Sequence, residues 1–284
     1  MSQWPTLTFQ WKDVPMRGRG LTFDDVLILP NRSDVRSRRD PNLKTRLTKK
    51  IEIDIPLISA NMDTVTEAPM AIAMAKEGGF GPIHRFMTIE EQVRNVREVK
   101  ASGAHAIGAS VGVGDDMRAR AEALVEAGTN VIVVDIAHGH SVQMLETIKW
   151  LKDRFSSVEV IGGNVAMPEA AIELAEAMCT TRIITGCGVP QLTAIAMCVS
   201  ALDPMGVPVI GDGGLRTSGD IVKAMAAGAS TVMLGSMLSG CLETPGELKG
   251  GMKQYRGMAS KAAQVSWRGG VPTGMAAEGE SRFV

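Results

Sequence analysis

The chain carries no charge excess of either sign: thirty basic residues face thirty-one acidic ones, for a net charge of -1. No global electrostatic case therefore exists for a nucleic-acid partner, and any anionic ligand must be captured locally. The four cysteines contain no CxxC pair. The N-terminus lacks the charged, apolar and small-residue zones of a signal peptide, which makes a reducing cytoplasm the default compartment. No apolar run approaches the roughly 18 residues that a membrane-spanning helix needs. Aromatic side chains are scarce, at 4%.

What is present is an ordinary globular composition, 45% hydrophobic and 21% charged over 284 residues. Residues 1–20, with Trp4, Trp11 and Arg17-Gly-Arg-Gly, show no period and read as an arm. The basic cluster Arg36, Arg38, Arg39, Lys44 and Arg46 reads as a solvated loop. From Leu21 onward strand-like and helix-like segments alternate. Strands are expected at 55–60, 81–84, 106–113, 130–137, 158–165, 208–211 and 230–234. Helices are expected at 67–76, 89–100, 115–126 and 142–154, then from Pro168 to about 177, at 191–202 and at 219–227. The last forty residues are rich in Gly, Ala and Met, with little period.

Repeated β-then-α units imply a parallel sheet, either open and doubly wound or closed as a (β/α)8 TIM barrel. The barrel is favoured. Its glycine-bearing turns, Asp135 to Gly139, Gly162-Gly163-Asn164, Asp212-Gly213-Gly214 and Gly235-Ser236, all follow strands and would converge on one mouth. One strand is missing, because no residues are left for it between the helix ending near Ala177 and Cys179.

Three stretches carry chemistry. Cys179-Thr-Thr-Arg182 offers a thiol, two hydroxyls and a cation that favours a thiolate, although spacing alone favours a small buried apolar cysteine. Asp212-Gly213-Gly214 and Leu234-Gly235-Ser236 fit a phosphate cradle on glycine amides, with Asp212 placed to read a nucleotide sugar; as a bland alternative they are tight turns. Asp135-Ile-Ala-His138-Gly-His140 shows no third ligand for a metal, so a metal is left unassigned. His84 reads as a packed or hydrogen-bonded imidazole rather than a base.

At Cys-Thr-Thr-Arg followed by Gly186-Cys-Gly-Val-Pro-Gln-Leu192, the chain resembles the family of inosine monophosphate dehydrogenases and guanosine monophosphate reductases. The likeness extends through Leu21-Thr-Phe-Asp-Asp-Val-Leu-Ile-Leu-Pro30, Asn61-Met-Asp-Thr-Val65, Gly162-Gly-Asn-Val165, Gly211-Asp-Gly-Gly214, Val232-Met-Leu-Gly-Ser236 and Tyr255-Arg-Gly-Met258. It implies that Cys179 attacks C2 of a purine nucleotide with Thr181 handling a proton. It implies that Asp212 holds the ribose, with Gly213 in the same turn, and that Gly214, Gly235, Ser236 and Tyr255 bind the 5′-phosphate. Met258 would touch the base, and Asp135 and Asn164 would lie near the nicotinamide and substrate ribose.

The dehydrogenases of this family activate water with an Arg-Tyr pair on a flap. Residues 257–281 lack such a pair and look like the reductases, with Glu278 expected to work with Thr181. The resemblance thus implies an NADPH-dependent GMP reductase converting GMP to IMP and ammonia. IMP dehydrogenase with NAD and a non-catalytic nucleotide-binding regulator are the alternatives. A tetramer or octamer is implied, as is a monovalent cation such as K+ held by carbonyls of the segment absent before Cys179. A pair of CBS modules would insert near Lys100-Ala101. The expected organisation is an arm at 1–20 and a catalytic barrel at 21–284 that includes a flap region at 243–284.

Overall fold

The computed structural model describes residues 20–174, 188–258, 260–268 and 281–284. Its centre is a set of short parallel strands buried between helices. β1 (Thr45–Arg46) and β2 (Glu52–Ile53) form a small antiparallel hairpin. β3 (Leu57–Ser59), β4 (Gly108–Val111), β5 (Val131–Asp135), β6 (Glu159–Gly163), β7 (Ile210–Asp212) and β8 (Thr231–Leu234) are the parallel strands. β9 (Gln254–Arg256) and β10 (Ser281–Phe283) pair antiparallel near the end of the chain.

The parallel strands form two three-stranded sheets, ordered β3-β8-β7 and β4-β5-β6. Residues 80–83 connect them. Phe80 bridges Ile58 and Ile83 bridges Ala109, both in parallel sense. Ser59 N–H donates to the Phe80 carbonyl at 2.9 Å, and Ser110 N–H donates to the Ile83 carbonyl at 2.8 Å. The result is one continuous arc, β7-β8-β3-(80–83)-β4-β5-β6. An α/β fold of parallel strands is therefore present. No pairing joins β6 to β7 among the described residues, so closure into a barrel is not shown.

The helices are α1 (Ala68–Lys76), α2 (Ile89–Ala101), α3 (Met117–Ala127), α4 (Val142–Arg154), α5 (Pro168–Leu174), α6 (Gln191–Leu202), α7 (Ser218–Ala226) and α8 (Lys261–Arg268). Local chemistry sets their starts. Thr88 and Glu91 form a capping box at α2, Ser141 caps α4, and Thr217 with Asp220 forms a second capping box at α7. The strands are held by burial on both faces. β5 reads Val-Ile-Val-Val-Asp, and its four aliphatic residues are buried with Ile58, Val111 and Val232 in one core.

The hairpin β1-β2 lies at the N-terminal ends of the strands, where Thr45 Oγ1 donates to the Ser230 carbonyl at 2.7 Å. At the other end, Leu21 docks on α6: its N–H donates to Thr193 Oγ1 at 2.7 Å. Lys223 Nζ reaches the Phe23 carbonyl at 2.7 Å, and Phe23 is buried beside Gly214. Helices α1 to α4, α6 and α7 lie within two residues of their expected bounds, and six expected strands occur with shorter spans. The strand expected at 81–84 is corrected to isolated bridges at Phe80 and Ile83, and the last forty residues, of little period, include α8, β9 and β10. The arm at 1–20 lies outside the described residues except for Gly20.

Candidate active site at the strand ends

The turn after β7 brings the first group of expected residues together. Asp212 ends the strand, and its carbonyl accepts from Gln191 Nε2, the first side chain of α6. Gly213 and Gly214 follow with φ of 91° and 75°, left-handed values that a side chain would strain. One strand over, Gly235 follows β8. A Cβ there would lie 3.2 Å from Tyr255 Oη and 3.3 Å from Met62 Sδ, so a side chain at this position would press on both groups. The Ser236 carbonyl accepts from Ser239 Oγ at 2.7 Å, holding the turn.

Tyr255 arrives from β9, twenty residues further along the chain, and the Arg282 guanidinium of β10 lies 5.7 Å from its ring centroid. Met258 joins the same wall, its sulfur accepting from the Asp63 N–H at 3.4 Å. The structure thus gathers Gly235 and Tyr255 directly and brings Met258 to the neighbouring loop.

The second group sits on the other half of the arc. Asp135 ends β5 opposite Gly163 of β6, which places Asn164 one residue beyond that pair. Gly139 N–H donates to the Asn164 carbonyl at 2.7 Å, closing the turn over this end. Burial pushes the Asp135 carboxyl above the ordinary aspartate range. The Arg85 guanidinium, with Nε 4.0 Å away, and a hydrogen bond with the Asn61 side chain act in the opposite direction.

The loop after β3 joins the two halves. Asn61 bonds Asp135, Met62 abuts Gly235, and Asp63 meets both Met258 and Arg256. In the sequence Asn61, Asp63, Arg85 and Arg256 carry no signal of these roles. Asn61, Asp63 and Arg256 belong to motifs quoted for the resemblance, but only the fold shows that each reaches across to another strand end. Beside this loop lies a cleft of about 750 Å³ lined in part by His84, Arg85, Phe86, Arg256 and Trp267.

His84 is buried, its Nδ1 accepting from the Phe86 N–H at 3.1 Å and its Nε2 lying 3.2 Å from Glu67 Oε1. With Nδ1 accepting, the ring proton sits on Nε2 and is donated to the carboxylate. This is the packed, hydrogen-bonded imidazole expected. His140 lies 3.2 Å from Glu173, and the His138 and His140 ring centroids are 6.5 Å apart.

Cys179, Thr181 and Glu278 lie outside the described residues. Of the cysteines described, Cys198 is buried in α6, and burial, with Glu169 a smaller cause, pushes its thiol up to about 12. Cys241 is also raised, first by burial. Neither is poised as a thiolate nucleophile at neutral pH.

Residues 20–277 match the sequence pattern of the family described as the IMP dehydrogenase / GMP reductase domain. The chain is 42% identical to the inosine-5′-monophosphate dehydrogenase of Cryptosporidium parvum over 311 residues, covering 89% of this chain and 77% of that protein. It is 36% identical over 386 residues to the enzyme of that name from Nitrosopumilus maritimus, covering 87% of this chain and 81% of the relative. For the Escherichia coli K12 enzyme the identity is 34% over 386 residues, covering 86% and 79%. An alignment of 386 residues is longer than this chain of 284, so these relatives carry residues without a counterpart here.

Proposed function

The chain belongs to the IMP dehydrogenase / GMP reductase family, and we propose that it oxidises IMP at C2 of the purine with NAD as hydride acceptor. An oxidoreductase of purine metabolism follows from the family itself. The direction is carried by one observation: the relatives described above are named inosine-5′-monophosphate dehydrogenases. They favour the dehydrogenase over the GMP reductase expected from residues 257–281.

In this reading the β7-β8-β3 half binds the nucleotide. The Asp212 carboxylate accepts from the ribose hydroxyls. Gly213, Gly214, Gly235 and Ser236 present backbone amides to the 5′-phosphate, Tyr255 adds its hydroxyl, and Met258 lies against the base. The β4-β5-β6 half receives the dinucleotide. Asp135, held by Asn61, and Asn164 form a carboxylate and amide pair suited to hydroxyl and carboxamide groups.

Cys179 would add as thiolate to C2, with Thr181 taking or returning a proton. NAD, when bound, accepts the hydride that leaves C2, and water then cleaves the C2–S bond to give XMP and the free thiol. Metal chemistry is not needed for these steps, and a structural K+ held by backbone carbonyls is compatible with them. The proposal extends to closure of the arc as an eight-stranded barrel, to a tetramer or octamer, and to an organisation of arm 1–20 and barrel 21–284 with a flap at 243–284.

GMP reduction by NADPH stays as the second reading, favoured by the absence of an Arg-Tyr pair in residues 257–281 and by Glu278 within Ala276-Ala-Glu-Gly279. Nicotinamide absorbance separates the two. Appearance of NADH with IMP and NAD supports the dehydrogenase. Loss of NADPH with GMP, and no turnover of IMP, replaces it with the reductase.

A further inference from the structure

The Arg256 side chain ties three parts of the protein together. Its Nε lies 3.1 Å and 3.3 Å from the two Asp63 carboxylate oxygens, Nη2 also bonds Oδ2, and Nη1 donates to the Ala262 carbonyl at 3.1 Å. The Arg256 backbone N–H donates to Thr64 Oγ1 at 3.3 Å. The pair is largely withdrawn from water, with side-chain exposures of 15% for Arg256 and 10% for Asp63. A fork of this kind fixes angle as well as distance, because the planar guanidinium engages both carboxylate oxygens at once.

Its position in the chain makes the geometry consequential. Arg256 is flanked by Tyr255, whose hydroxyl meets the Gly235 turn, and followed two residues later by Met258, whose sulfur receives the N–H of Asp63 itself. Asp63 in turn follows Met62, which touches Gly235 from the other side, and Asn61, which bonds Asp135. β9 is only three residues long and pairs with a strand of equal length. Such a ladder does not hold a site by itself.

We infer that the Asp63–Arg256 pair is a latch that sets where Tyr255 and Met258 stand against the nucleotide, so that both charged residues act as positioning residues for substrate binding. This rests on the reading of Tyr255 and Met258 as nucleotide contacts. Neither charge need touch the substrate. Arg256→Lys keeps the cation but cannot span both oxygens and the Ala262 carbonyl, so the wall shifts by a fraction of its side-chain length without a buried charge being stranded.

The full chain carrying Arg256→Lys should show KM and Kd for IMP or GMP raised roughly tenfold or more. Its kcat at saturating nucleotide and its KM for the dinucleotide should change less than about threefold. Amide exchange at residues 254–258 should quicken while exchange in β5 stays as it was. Asp63→Asn should act in the same direction, and the double variant should add little to the larger single effect. Thr64→Val, which removes only the weaker bond, keeps the test open if the charge variants fold poorly, and predicts a smaller change of the same kind.

Unchanged nucleotide affinity in Arg256→Lys would overturn the latch, as would a uniform fall in kcat, both affinities and melting temperature. If the parent protein binds neither IMP nor GMP, the proposed function falls. Exchange at residues 254–258 then still decides whether the pair sets that segment.

Discussion

The two halves of the strand-end surface are built from different materials. On the β7-β8-β3 side the proposed contacts are glycine turns, one tyrosine, one methionine and a single carboxylate, Asp212, with space left by missing side chains. On the β4-β5-β6 side they are an amide and a half-buried carboxylate with Arg85 beside it. Beyond that one carboxylate the first arrangement recognises by shape and by fixed dipoles, and its affinity should respond to volume more than to pH. The second depends on charge held against desolvation, and should respond to pH and to isosteric loss of charge.

Filling the glycine side is the most damaging way to break this contrast. Gly235→Val would force branched carbons onto Tyr255 Oη and Met62 Sδ, which a built Cβ already meets at 3.2 and 3.3 Å. Overpacking of this order costs about 1–3 kcal/mol. Nucleotide affinity should fall about a hundredfold, as measured by calorimetry, because both the Gly235 turn and the displaced Tyr255 hydroxyl are proposed ligands. Dinucleotide affinity should barely move, and an equal loss for both ligands would erase the distinction between the halves.

Asp135→Asn is the matching change on the charged side. Turnover should drop about a hundredfold while nucleotide affinity changes less than about threefold. Stability gives an independent reading. The folded-state value of Asp135 is raised, first by burial, so the folded protein holds that proton more tightly than the unfolded chain. The stability this group contributes is present below its unfolded value and is lost as pH rises through the raised folded value. The amide has no such slope, so urea unfolding should show the variant gaining on the parent between mildly acidic and neutral pH. No gain would mean that Arg85 and Asn61 fully offset the burial.

How far the contrast could be read beforehand differs between the halves. The glycine turns were legible because Asp-Gly-Gly and Gly-Ser after aliphatic runs announce a strand ending in a tight turn. The helices were legible where caps are local, as in Thr88 with Glu91 or Pro190 before α6. The short ladder β9-β10 was not, since Gln-Tyr-Arg and Ser-Arg-Phe have no period of their own and are strands through each other and through Lys253, which bonds Val284 in both directions. Arg85 and Asn61 were invisible as partners of Asp135 because they lie on other strand ends, 50 and 74 residues away in sequence. Local pattern places elements, whereas cross-strand pairs need the arc itself.

A smaller effect tests whether the β7 turn is independent of the site's electrostatics. Burial alone would raise Asp220, but hydrogen bonds from the Arg216 and Thr217 amides and the Thr217 hydroxyl outweigh it, leaving the carboxyl below its ordinary value. That stability is present above the unfolded value and is lost as pH falls through the lowered folded one. Asp220→Ala removes a capping box and should cost about 1–2 kcal/mol by chemical denaturation at neutral pH, with less difference in acid. Nucleotide KM should rise less than about threefold, because Gly213 and Gly214 are held also by Gln191 on Asp212.

The smallest expected effect concerns a cysteine beneath the same side. Cys198 faces the core from α6, and its thiol, pushed up to about 12 first by burial, is almost wholly protonated near neutrality. Thiolate is the reactive form, so alkylation should pass it by in the folded protein. Cys198→Ala should leave turnover within about twofold of the parent and leave the rate of inactivation by iodoacetamide near pH 8 unchanged within about twofold. Its cost should appear only in stability, at roughly 1 kcal/mol for a small buried truncation. If inactivation slowed markedly instead, the reactive thiol would be Cys198 and not Cys179. The glycine-built half would then carry the nucleophile on its own helix, and the division between a side that shapes the substrate and a side that carries charge would no longer hold.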